Sequence, residues 1–153
     1  MAKPFAFKLE KVLEFRRVQE DEAVAALARA QMVHDAKKAE ADNLAAKLQV
    51  HSAQGLQKNP STQELWLWRQ YKTALEQDLS AARAALAALA LKLQKCRQDA
   101  LERSRDRKLL EKLKETQAAR HEHEQYLKEQ KEFDELAAIR HGRRCSVPWA
   151  SGS

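Results

Sequence analysis

From Leu75 onward, apolar side chains return at alternating intervals of four and three residues: Leu75, Leu79, Ala82, Leu86, Leu89, Leu93, Cys96 and Ala100. On a helix these positions share one narrow stripe. A seven-residue repeat held this long is the seam of a coiled coil, because its average of 3.5 residues per turn keeps one face toward a partner helix. A rod of this kind has little interior in which to build a pocket. Contact with other proteins is the function it favours.

Composition agrees. Aromatic residues make up 6% of the 153 and charged residues 33%, too few bulky apolar side chains for a globular core of this length. With 3 Gly and 3 Pro there are few places to turn the chain. The net charge of +6 is spread thinly, with 10 basic and 8 acidic residues in 1–60, 6 and 4 in 61–100, and 12 and 10 in 101–153. Interspersed signs describe a solvated helix surface, not the concentrated basic stripe that phosphate binding needs. No nucleic-acid partner is expected.

No stretch approaches the apolar length of a membrane span, and Met-Ala-Lys-Pro-Phe lacks the apolar core of a secretory signal. A cytoplasmic location is expected. Cys96 sits in the seam and Cys145 far away in a polar tail, so neither a disulfide nor a metal site is expected.

Punctuation is concentrated in residues 52–61, SAQGLQKNPS. Gly55 suits a helix C-terminal cap, and Asn59-Pro60 bars simple helical continuation. Ser61-Thr62-Gln63-Glu64 then reads as a capping box, the serine accepting from the amide three residues on while the glutamate reaches back. The pattern predicts one helix over about 5–54, a turn over about 55–61, and a second helix over about 62–141 that stops at Gly142. The first helix carries a weaker seam through Leu9, Leu13, Arg16, Glu20, Ala23, Leu27, Ala30, His34, Lys37, Ala41, Leu44 and Leu48.

A short turn between long amphipathic helices makes them antiparallel neighbours. The predicted fold is therefore all-α, an antiparallel two-helix coiled coil or long α-hairpin forming a single domain over 1–141. At 1.5 Å per residue the helices would measure roughly 70 and 120 Å. Folding about residue 58 places Leu9 near residue 107, leaving everything beyond about Arg107 as an overhang of the longer helix. Residues 142–153 read as a disordered tail.

Signatures of catalysis are missing: there is no Gly-rich phosphate loop, strand pattern or nucleophile elbow. No enzyme and no cofactor is expected. His121 and His123, two apart on a helix, point in different directions, and His121 with Glu124 reads as a solvated face. The run Leu65-Trp66-Leu67-Trp68-Arg69-Gln70-Tyr71 has two readings of equal weight. Its aromatics either fold over the loop, onto Leu56 for instance, and lock the hairpin tip, or they form an exposed anchor patch. The basic segment 103–114, RSRDRKLLEKLK, is likewise either a solvated face or an electrostatic docking surface.

Two stretches carry a family likeness. Phe5-x-Phe7-x-Leu9-x-x-Val12-Leu13-x-x-Arg16-x-x-Gln19-Glu20 resembles the start of the flagellar export protein FliJ family. Lys108-Leu109-Leu110-Glu111-Lys112-Leu113-Lys114-Glu115, then Tyr126 and Phe133-Asp134-Glu135-Leu136-Ala137, is similar to that family's C-terminal pattern. The resemblance covers about residues 1–141. It implies a stalk-like coiled coil of the bacterial flagellar type III export apparatus, peripheral at the cytoplasmic face of the inner membrane. Its implied partners are the hexameric export ATPase, the membrane-embedded export gate, and export chaperones. Taken with the rod's geometry, it leads to an assignment of Phe7, Leu9, Leu13, Arg16, Arg107, Leu110, Lys112 and Leu113, at the terminal end of the rod, to the ATPase ring, and of Trp66, Trp68 and Tyr71, in the tip half, to the gate. The alternatives are a stalk of a virulence secretion system or another rotary ATPase, and a basic nucleic-acid-binding coiled coil.

Overall fold

The computed structural model describes residues 3–145, and among them it contains two helices and no strand. Helix α1 runs Glu10–Gln54 and helix α2 runs Thr62–Cys145. The all-α hairpin read from the heptads is the observed fold.

The turn is built as its residues dictate. Gly55 takes φ +61° and Asn59 φ 72°, left-handed conformations that glycine adopts freely and asparagine tolerates. The capping box is reciprocal. Glu64 N donates to Ser61 Oγ at 3.2 Å, and Ser61 N donates to Glu64 Oε2 at 3.1 Å. Two amides that the first turn of α2 would leave without partners are thereby satisfied.

Contacts group the chain into two units. The first spans Arg16–Asp106. Inside it the helices pack antiparallel: His51 meets Trp68, Ala41 clusters with Leu79 and Ala82, Arg97 donates to Gln31 at 3.3 Å, and Arg16 pairs with Asp106 at 3.4 Å. From Arg16 to Leu48 every expected seam position of α1 is buried or half-buried, His34 and Lys37 included. The same holds for all eight positions from Leu75 to Ala100 in α2. Small side chains leave thin places. A shallow groove of about 340 Å³ is lined by Ala26, Ala30, Val33, Leu89 and Cys96.

The second unit joins the segment up to Phe15 with that from Arg107 onward. Here Leu13 is wholly excluded from solvent and Phe7 nearly so. Lys114 Nζ reaches Glu10 Oε2 at 2.7 Å, and the Phe5 ring lies 5.7 Å from that of His121. Partnered packing therefore extends to His121, beyond the expected limit near Arg107. Glu10, already helical, stands beside Lys114, so the register of the helices alone passes Arg107. Residues 3–7 are not helical, and because non-helical chain covers more distance per residue than the 1.5 Å of a helix, they carry the packing on to His121. Past His121, only Gln125 is half-buried as far as Cys145, and every other residue is exposed.

Helix α2 passes through Gly142 rather than stopping there. A glycine ends a helix by taking positive φ, and Gly142 does not. The tail from residue 146 lies outside the described residues.

Candidate interaction surfaces

Near the chain's start, alternate residues face opposite ways. Phe7 and Leu13 are buried and hold the lead-in and the first turns of α1 to α2, while Leu9 remains partly open. Of the α2 residues singled out from sequence, Leu110 is half-buried, Leu113 is 39% exposed, and Lys112 is exposed. Arg107 is half-buried and donates to Glu111 Oε2 at 2.6 Å, one helical turn on. The surface that a partner could touch in this unit thus comprises Leu9, Lys112 and Leu113. Val12, Phe15 and Leu109 join them, the last two 58% and 68% exposed. Phe15 had no sequence signal beyond being an apolar residue off the heptad stripe. Arg16, in the other unit, is occupied by Asp106 and by Gln19 at 3.1 Å.

The basic segment divides by direction. Arg103 donates to Gln19 at 3.0 Å, and Arg107 and Lys114 are paired with acidic groups. Arg105, Lys108 and Lys112 are exposed. His121 stacks obliquely on Phe5 and is half-buried, so it is a packing residue, not a member of a solvated face.

At the hairpin tip the aromatic run is split between two tasks. Trp68 is half-buried. Its ring stacks on His51 with centroids 5.0 Å apart and 25° between planes, while Tyr71 meets the same imidazole edge-on at 4.7 Å. His51 Nε2 lies 3.1 Å from the Trp68 carbonyl oxygen. That oxygen can only accept, which assigns the hydrogen to Nε2. Lys72 Nζ sits 5.5 Å over the Trp68 ring, an arrangement of cation–π type. Trp68 Nε1 is buried without a hydrogen-bond partner, a cost the packing of the large ring has to exceed. Trp66 and Leu67 are more than half exposed, as is Tyr71 on its outer side. Trp68 therefore fastens the tip from within, and Trp66, Leu67 and Tyr71 form its outer apolar surface.

Among the described residues no three His, Cys, Asp or Glu side chains converge in a way that could hold a metal ion. No helix among them is long and apolar enough to cross a membrane. What the described molecule offers a partner is surface: the open apolar and basic residues beside the lead-in, the aromatic tip, and the bare end of α2.

The model of the family described as flagellar FliJ protein matches residues 5–146. No curated protein and no solved structure matches the chain.

Proposed function

Because the chain belongs to the flagellar FliJ protein family, whose members are components of flagellar protein export, we propose that it acts there as a non-catalytic stalk. Its unit containing the lead-in docks into the hexameric ring of the export ATPase and promotes ring assembly. The aromatic tip engages the membrane-embedded export gate, and the rod also meets export chaperones. In this reading the chain sits at the cytoplasmic face of the inner membrane.

One observation supports the ring reading above others. Exposed apolar residues (Leu9, Leu109, Leu113) and the cation Lys112 sit on a thin, two-helix scaffold whose own seam is closed by Phe7 and Leu13. An apolar anchor beside cations is the chemistry that an acidic-rimmed channel selects, with charge steering the encounter and apolar burial holding it. The residues inferred from the family pattern then divide by role. Leu9, Lys112 and Leu113 touch the ring. Phe7, Leu13 and Leu110 hold the two helices together behind them. Arg107 and Arg16 are spoken for by Glu111 and Asp106, and they stiffen the scaffold.

Stimulation of the purified export ATPase tests this. Lys112→Glu combined with Leu113→Ala is expected to weaken the concentration dependence of stimulation by at least about tenfold, the loss typical of a hot-spot residue. The circular dichroism of the chain should not change. Undiminished stimulation by that variant would overturn the assignment of this surface to the ring.

A further inference from the structure

Between Glu122 and Cys145, α2 has no facing helix among the described residues: Tyr126, Phe133, Leu136 and Ile139 are each more than half exposed, and Leu127 is 41% exposed. Stepping by three and four along this arm gives Tyr126, Glu129, Phe133, Leu136, Arg140 and Arg143, every one exposed. That is a heptad stripe with an apolar centre, an acidic member before it and cations after it. The whole arm is polarised in the same sense. Residues 122–135 carry six acidic and two basic side chains, whereas 136–145 carry three arginines and no acid.

A stripe of this pattern is self-complementary in one orientation only. Laid parallel, two copies would set acidic half against acidic half and arginines against arginines. Laid antiparallel about a two-fold axis, each acidic half meets the other copy's basic end. In the register that packs Phe133 of one copy on Leu136 of the other, Glu129 falls opposite Arg140, twice by symmetry. We propose that the exposed end of α2 is a pairing surface for a second copy of this chain, joined antiparallel through this stripe. The pairing stands apart from the ring-docking reading, since it needs no ATPase and uses residues C-terminal to that surface.

Sedimentation of the full chain over a wide concentration range tests it. A reversible dimer is expected. Phe133→Glu should weaken it at least about tenfold, as removal of a central interface anchor does. Arg140→Glu should also weaken it, and adding Glu129→Arg to the same chain should restore it, because the swap returns opposite charges to facing positions. All three positions are exposed, so the fold of the monomer is not at stake in these variants. Orientation is read from the distance between spin labels on Cys145 in a Cys96→Ala background. An antiparallel pair holds them roughly 30 Å apart and a parallel pair brings them side by side. A chain that stays monomeric throughout, a charge swap that restores nothing, or adjacent labels would each overturn the proposal.

Discussion

Residues 75–100 and residues 122–145 of α2 are equally helical and opposite in burial. In the first stretch every heptad position is covered, and the buried side chains are Leu75, Leu79, Ala82, Leu93 and Ala100. In the second stretch larger apolar residues, Phe133 and Tyr126, lie open on a helix that is more charged and poorer in Ala and Leu. Helix propensity and i,i+4 charge pairs are shared by both and are worth only tenths of a kcal/mol each. What separates them is a facing helix. The seam stretch draws its stability from packing, while the arm keeps its apolar area for something outside the chain.

Mutation breaks this contrast most sharply. Leu93→Ala, at a position 4% exposed, is expected to cost about 2–4 kcal/mol, the range for large-to-small changes in a packed core. Phe133→Ala removes a larger side chain, yet it should shift unfolding by less than about 0.5 kcal/mol because the ring is already in water. Denaturant melts followed by circular dichroism at low protein concentration measure both. Equal losses would mean that the arm is covered within the monomer.

The tip offers the same contrast over two residues. Trp68→Ala should cost about 2 kcal/mol, less than the 3–5 of a fully buried tryptophan, since its ring is only half-buried and its indole nitrogen lacks a partner. Trp66→Ala should stay within about 0.5 kcal/mol and act instead on binding of the gate proposed as the tip's partner. A tip destabilised by loss of Trp66 would erase the division between inner fastener and outer surface.

Much of this was legible in the residues themselves. The heptads of both helices and the capping box are local signals, and each is found where its spacing put it, except at Leu9, the first expected seam position, which lies before the helix and is 39% exposed. Ser61→Ala should accordingly cost about 1 kcal/mol, the usual value of an N-cap, read as a lower melting temperature. The overlap of the helices was not legible. The non-helical lead-in carries no periodicity, so nothing in the sequence sets Phe5 against His121, 116 positions away. Phe7 and Leu9 illustrate the same loss, one buried and one open, two residues apart in a segment where no helical phase decides which way a side chain faces. The aromatic tip was half legible. Composition announced a patch, but only His51, arriving from α1, selects Trp68 as the inward member.

The smallest effect is local to the end of the arm. Gly142 is helical, and a Cβ built on it meets nothing within 4 Å. Glycine costs a helix interior about 0.5–1 kcal/mol relative to alanine through backbone entropy alone. Gly142→Ala should therefore slow amide hydrogen exchange over residues 138–145 by several-fold, roughly what that free energy allows, and leave exchange over 75–100 untouched. The difference in response follows from the difference in support: the seam stretch opens only with its facing helix, whereas the arm opens turn by turn and registers each residue's own preference. Slower exchange in both stretches would instead mean that the arm unfolds together with the seam.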